Sequence, residues 1–484
     1  MKKFASLGIG LLLLIVGCSD NDDMEVLTPT DNDVTVQNFM WKAMNYWYFW
    51  QDEVPDLADD RFSSNTEYTE FLQATPDPED FYSQIQFTED RFSFLNEDYE
   101  VLLNSFSGVS KSNGLQFFVI DLIADDTDNL FGFVRNVVPG SDADEKGLKR
   151  GDVFTGVNGQ TLTQSNYIDL LFSDVDSYTL NMGDKDVENR LVVPNDQEIT
   201  LISEEGLLEN PIRVSTTFDI NGQKIGYLMY QRFNRSFDSE LNEVFAQFVA
   251  EGVTDLIIDL RYNPGGSVNT TVLLASMIYG TNTNDLFIKQ RWNTKRQASF
   301  SASQVEDYFA NSVNGSPLNT LNLNKVYLIA TNRSASASEL LINGLDPYVE
   351  VIHVGDVTRG KNEFSITLVD DPENNYQYTS SRENQINPDN RWVIQPLVGR
   401  NENSVGFIDY TSGFVPDIEF REDVFNLSVL GDVNEPLLAR TIEDITGISS
   451  KIRMAPESQD ASKVRVFETP VNEIMYLDKT LFEE

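Results

Sequence analysis

The run Arg333-Ser-Ala-Ser-Ala-Ser-Glu339 is followed by Thr358-Arg-Gly-Lys361, whose lysine stands 25 residues after the middle serine, Ser336. A serine becomes a nucleophile only when a base takes its hydroxyl proton. Histidine is the usual base, and the chain has one, His353. Lysine is the other choice, so these residues point to a Ser/Lys dyad. A third segment, Asp259-Leu-Arg-Tyr-Asn-Pro-Gly-Gly266, ends a largely apolar stretch. Such a turn can bare backbone N–H groups that, with the N–H of the residue after a nucleophile, would hold an oxyanion. Each signal has a blander reading when taken alone. Ser336-Ala-Ser-Glu339 is a capping-box pattern. Gly-Gly occurs in many tight turns, and a lone lysine is commonly a solvated surface charge. The dyad also makes an energetic demand. A lysine base must fall from a pKa of about 10.4 to about 7–8, which costs about 4 kcal/mol. Burial of Lys361 would have to outweigh the field of an acidic chain. The expectation is a buried Lys361 beside Ser336 with no carboxylate in contact.

The elements that would position these groups follow from periodicity. From about Pro211 strands and helices alternate: strands at 225–230, 254–260, 326–330 and 349–354, helices at 239–251 and 271–279. That alternation predicts an α/β core. The serine run follows a buried strand and opens a helix, where the dipole favours a developing anion. Between about Ser105 and Glu205 the pattern changes to short β runs, 115–122 and 130–138 among them. From Val34 to about Leu103 apolar residues recur at helical spacing, interrupted at Pro76 and Pro78. The aromatic run Tyr46-Trp-Tyr-Phe-Trp50 could be a sugar-stacking surface, but a helix packed on a core accounts for it better. Residues after about Gly431 carry no legible motif.

At 484 residues the chain is long enough for about two to four domains. A formal charge of −42, from 35 basic and 77 acidic residues, argues against nucleic acid as a partner. One histidine and one cysteine leave no zinc motif, and the acidic loops lack EF-hand spacing, so neither a metal nor another cofactor is expected. Lys2 and Lys3 precede an apolar stretch from Phe4 to Gly17, which is short for a membrane span. It ends in Leu14-Ile-Val-Gly-Cys18, which resembles the lipobox of bacterial lipoproteins. The resemblance implies lipidation of Cys18 and an exported lipoprotein anchored in a membrane of the cell envelope. The acidic stretch after Cys18 resembles signals for the outer cell surface.

Two wider resemblances organise the rest. Val138-Pro-Gly-Ser141, Gly147-Leu-Lys-Arg-Gly-Asp152 and Val153-Phe-Thr-Gly-Val-Asn-Gly159 resemble a PDZ domain in order and spacing. In that family Gly114, Leu115 and Gln116 would form the loop that grips a peptide's C-terminal carboxylate, with the peptide added as a strand. The PDZ pattern, the Asn-Pro-Gly-Gly turn, the serine run, Gly360-Lys361 and Phe414-Val-Pro-Asp417 together resemble the C-terminal processing (tail-specific) peptidases. The resemblance spans roughly Ser105 to Asp417. It implies a multidomain α/β serine endopeptidase acting on polypeptides through their C-terminal segments. It places the nucleophile on Ser336, the base on Lys361, and oxyanion N–H groups at Gly265 or Gly266 and Ala337. Many members carry a glutamine four residues after the lysine to orient it; here that place is Ser365. The expected organisation is a signal peptide 1–18, a tether 19–33, a helical region 34–104, a PDZ domain 105–205, a catalytic core 206–430 and an extension 431–484. The departure at Ser365 leaves a second class open, a non-catalytic peptide-binding surface lipoprotein on the same scaffold.

Overall fold

The structure is a computed structural model and describes residues 27–122, 128–448, 464–467 and 473–477. The proposed signal peptide, Cys18 and most of the tether lie outside the described residues. Four helices open the chain: α1 (Thr35–Trp47), α2 (Asn65–Ala74), α3 (Pro78–Gln84) and α4 (Tyr99–Phe106). Pro78 starts α3 rather than breaking it. It occupies the first helical turn, where its missing N–H costs nothing, and Asp77 caps the N–H groups of Glu79 and Asp80.

Strands β1 (Leu115–Leu122), β2 (Leu130–Val137), β3 (Val153–Val157), β4 (Ser177–Asp186) and β5 (Leu191–Ile202) form one antiparallel sheet in sequence order. Helix α5 (Tyr167–Phe172) belongs to this β-rich domain, which encloses its own apolar cluster around Phe117, Phe154 and Leu180.

The larger α/β part begins with β6 (Ile212–Ile220) and β7 (Gln223–Tyr230), then α6 (Asp238–Glu251), β8 (Asp255–Asp259), β9 (Gly265–Ser267) and α7 (Val268–Tyr279). It continues with β10 (Leu286–Trp292), β11 (Glu306–Tyr308), β12 (Lys325–Ala330), α8 (Ala337–Leu345), β13 (Glu350–Gly355), β14 (Glu363–Ser365), β15 (Leu397–Asn403) and β16 (Ile418–Glu419). Helix α9 (Pro436–Thr446) completes it together with the late strand β18 (Ile474–Tyr476), whereas β17 (Val464–Phe467) belongs to the β-rich sheet. Six strands order as β6-β7-β8-β12-β13-β16, parallel from β7 onward, as the strand–helix alternation requires. A second six-stranded sheet orders as β9-β18-β14-β15-β10-β11.

Helices α1–α3 do not enclose a separate core. Trp47, Tyr48 and Tyr68 are fully buried in the same apolar cluster as Leu256, Leu328 and Leu341 of the α/β part. The Trp47 indole donates to the Asn375 carbonyl at 2.7 Å. Burial of Trp47 and Tyr48 rules out the sugar-stacking reading for those two rings. The extension after Gly431 proves structured in three places. Helix α9 packs beneath the parallel sheet, β17 joins β1 of the β-rich domain, and β18 lies between β9 and β14.

Candidate active site

Three segments meet at the C-terminal ends of the parallel strands. Strand β8 leads into the turn at residues 261–266, β12 leads into the serine run, and β13 leads into the loop of Lys361. The first turn is fixed by a buried ionic cluster. The Arg261 guanidinium, with no exposed surface, pairs with Asp259 at 2.7 Å and with both carboxylate oxygens of Glu435 at 2.7 and 2.8 Å. Tyr227 donates to Asp259 at 2.8 Å. Thr331 donates to the Arg261 carbonyl at 2.6 Å and Ser338 to the Asn263 carbonyl at 3.0 Å, which ties this turn to the serine run.

The three serines of the run differ sharply. Ser334 donates to the Leu260 carbonyl and Ser338 to that of Asn263. Only the hydroxyl of Ser336, equally buried, has no hydrogen-bond partner. Its backbone sits at φ 64°, ψ −113°, a conformation that costs a non-glycine residue on the order of 1–3 kcal/mol. A buried orphan hydroxyl costs a similar amount. Ser336 stands at the N-terminus of α8, and the N–H of Ala337 belongs to the first turn, whose donors have no intrahelical acceptor.

Glu339 is the hub. Its carboxylate accepts from the Ser336 N–H at 2.8 Å, which is the glutamate arm of the capping box. It also accepts from Thr358 Oγ1 at 2.6 Å, Gly360 N at 2.7 Å and Lys361 N at 2.9 Å. One side chain thus holds the backbones of Ser336 and Lys361 together. Burial raises the Glu339 pKa to about 7 even against these four donors. The capping reading and the catalytic reading of the run are therefore compatible: the cap is what fixes the serine.

Lys361 is 1% exposed, and burial lowers its pKa to about 8 against the pull of Glu363, Glu473, Asp90 and Glu339. Among the described residues no carboxylate forms an ion pair with it. The Phe92 ring covers the amine at 5.0 Å, and Arg91 donates to the Gly360 carbonyl at 2.6 Å. Gly360 is required by packing, since a Cβ there would stand 2.3 Å from the Thr411 carbonyl oxygen. The amine itself donates to the Glu473 carbonyl of the C-terminal segment, not to Ser336.

The turn glycines are brought to the serine. A Cβ on Gly265 would lie 2.7 Å from Ser336 Cβ and 3.1 Å from Ala337 N. The N–H of Gly265, however, donates to Asn263 Oδ1 at 2.9 Å, and residues 265–267 pair with 474–476. Ser365 is close by but turned away. Its hydroxyl donates to the Met475 carbonyl at 3.3 Å, so its expected role of orienting Lys361 has no hydrogen bond behind it. A serine is too short to reach back along β14 to an amine directed at Glu473.

His353 sits on β13 with Nε2 3.2 Å from the Ala330 carbonyl, and burial lowers its pKa. Asp417 accepts from the His353 backbone N–H at 2.8 Å, the Phe414 N–H donates to Thr358 Oγ1 at 2.7 Å and the Phe414 carbonyl accepts from the Thr358 N–H, so the Phe414–Asp417 element braces the Lys361 loop. In the β-rich domain the N–H groups of Gly114 and Leu115 donate to Ser112 Oγ and Asn113 Oδ1, both at 3.0 Å. Gln116 pairs with Glu209 at 3.1 Å. The loop expected to grip a carboxylate has closed on its own side chains, as Ser and Asn do in tight turns.

Sequence reasoning missed Glu339 as a hub, Phe92 and Arg91 as cover, and Glu473 as the lysine's partner. The capping pattern signalled the first. The others lie 112 to 269 residues from their contacts, with no local motif. No metal-binding cluster of histidine, cysteine, aspartate and glutamate occurs among the described residues.

Residues 224–400 match the profile of Peptidase family S41, and residues 35–94 that of the Peptidase S41 N-terminal domain. Residues 35–94 and 224–400 thus carry the two domain types of that family. The chain is 23% identical over 273 residues to a carboxyl-terminal-processing protease of Picosynechococcus sp. (strain PCC 7002), covering 55% of this chain and 58% of that one. It is 24% identical over 242 residues to the "Probable CtpA-like serine protease" of Staphylococcus aureus (strain bovine RF122), covering 48% and 42%. The chain thus spans about half the length of the curated relatives it matches. A crystal structure of a candidate S41 protease from Bacteroides fragilis NCTC 9343 superposes with a TM-score of 0.65 at 26% identity, covering 85% of this chain and 97% of that one.

Proposed function

We propose that this protein is a serine endopeptidase acting through a Ser336/Lys361 dyad. The observation that carries the reading is the unpartnered, buried Ser336 hydroxyl on strained backbone, joined through Glu339 to a buried lysine whose pKa is about 8. A peptide-binding protein gains nothing from either cost. In the reaction the neutral Lys361 amine takes the Ser336 proton as Oγ attacks the scissile carbonyl carbon. The oxyanion develops toward the Ala337 N–H and the Gly265–Gly266 turn. The C–N bond then breaks, Lys361 gives its proton to the leaving amine, and water releases the acyl group from Ser336.

The β-rich domain serves, in this reading, as a PDZ-like receptor for an extended segment near a substrate's C-terminus, which adds to the edge of β1. Cys18 carries a lipid that anchors the protein in the cell envelope. Protein lacking residues 1–18 is expected to cleave casein, and Ser336→Ala and Lys361→Ala are each expected to abolish cleavage. Equal cleavage by all three proteins would remove the dyad; no cleavage by any would favour the peptide-binding class. Labelled palmitate incorporated by the full chain but not by Cys18→Ala would test the anchor.

A further inference from the structure

The C-terminal segment lies where a substrate would. Strand β17 adds antiparallel to β1, with Phe467 opposite Val119 and Val464 opposite Leu122. The Phe467 ring meets that of Tyr167 on α5 at 5.7 Å, so it sits in the groove between strand and helix. Five residues later the chain reappears at the catalytic centre. Strand β18 fills the slot between β9, which carries Gly265 and Gly266, and β14, which follows Lys361, and it runs parallel to both. Val466, Phe467 and Glu473 line a cavity of about 610 Å³ between the two parts. Arg359 anchors Glu473 by an ion pair at 2.9 Å. The Lys361 amine is held by the Glu473 carbonyl while Ser336 Oγ has no partner, so the dyad is not assembled with the segment in place.

We propose that residues 464–467 and 473–477 are tethered occupants of the substrate path, which keep the enzyme inactive until a polypeptide displaces them. The inference rests on the catalytic reading above and adds to it the binding mode: substrate enters as a strand between β9 and β14. Tethering makes the occupant effective at the millimolar level without tight contacts. Release should be partial when one anchor is lost and complete when the segment is removed.

The test uses protein from residue 19 onward, with casein as substrate. Glu473→Lys sets two cations face to face at Arg359 and is expected to raise kcat/KM several-fold. Ending the chain at residue 463 should raise it about tenfold or more, as expected if under a tenth of the molecules are open at rest. A synthetic peptide of residues 464–484 should then inhibit the shortened enzyme competitively. If the shortened chain does not fold by circular dichroism, Glu473→Lys decides, and an unchanged or lower kcat/KM in a folded Glu473→Lys protein overturns the proposal. Hydrogen exchange separates this from failure of the catalytic reading. In the Ser336→Ala protein, casein should accelerate exchange of the amides in 464–467 and 474–477. Unaltered exchange there would overturn displacement whether or not the wild type cleaves anything.

Discussion

Two buried polar clusters stand within a few residues of each other, and they are built to opposite specifications. Around Arg261 the charged groups pair: the guanidinium is shared by Asp259 and Glu435, and Tyr227 adds a donor to Asp259. Around Ser336 the counting fails. A hydroxyl has no partner, a backbone is held at positive φ, and a lysine is buried with no carboxylate in ion-pair contact among the described residues. Satisfied polar groups rigidify a structure, whereas each unsatisfied one stores a cost for which a catalytic role is one explanation. The Asp-Leu-Arg and Ser-Ala-Ser-Ala-Ser segments look equally conspicuous in the sequence. The contrast in satisfaction is what assigns the first to scaffolding and the second to chemistry.

The sharpest way to break that contrast is to remove Arg261. Arg261→Met leaves Asp259 and Glu435 buried without a cation, and a stability loss of about 3–5 kcal/mol is expected in chemical unfolding. A change under 1 kcal/mol would mean that the cluster is not the scaffold described.

Lys361 should behave in the opposite sense. Its pKa, lowered from 10.5 to about 8, corresponds to a burden of about 3 kcal/mol on the protonated form. Lys361→Met is therefore expected to abolish cleavage and to stabilise the fold by up to that amount near neutral pH. The sign follows from proton counting. The unfolded chain keeps this proton to about pH 10.4 and the folded chain only to about 8, so between the two the folded state binds fewer protons. Raising the pH through that window stabilises the wild type relative to Lys361→Met. Activity, which needs the neutral amine, should climb with a midpoint near pH 8; a profile flat from 6 to 9 would exclude Lys361 as the base.

Glu339 lies between the two clusters in character. It is satisfied, yet burial holds its pKa at about 7, and it links the backbones of Ser336 and Lys361. Glu339→Gln keeps the shape but turns two acceptor lone pairs into donors that face N–H groups. A loss of about 1–3 kcal/mol is expected, with a larger fractional fall in kcat than in KM, since the damage is to the alignment of Ser336 and Lys361.

Much of this was legible in the sequence for a physical reason. Strand–helix alternation follows from local periodicity, and it brought β12 and β13 out within one residue of expectation and opened α8 within the serine run. Ser336, Lys361 and Gly265 were visible because each follows a strand end. Ser365 and the Gly114–Gln116 loop were misleading because their hydrogen bonds depend on side-chain direction, which spacing does not encode. The C-terminal segment was illegible for a different reason. Val464–Phe467 and Ile474–Tyr476 are too short to show a period, and both are strands only by pairing with edges hundreds of residues away.

The smallest expected effect discriminates most finely. Ser336→Ala removes the one hydroxyl of the run that makes no hydrogen bond, while the φ of 64° and the Glu339 arm of the cap remain. The orphan's desolvation cost disappears and no contact is lost, so stability should stay constant or rise by about 1 kcal/mol. Ser334→Ala and Ser338→Ala each remove a buried hydrogen bond, to the carbonyls of Leu260 and Asn263, which keep the backbone N–H groups of Asn263 and Ala335 as donors, and each should lose about 1 kcal/mol. Thermal unfolding of the three variants side by side checks the ordering. A Ser336→Ala protein that is the least stable of the three would return that hydroxyl to the helix cap, and the case for a nucleophile at this position would go with it.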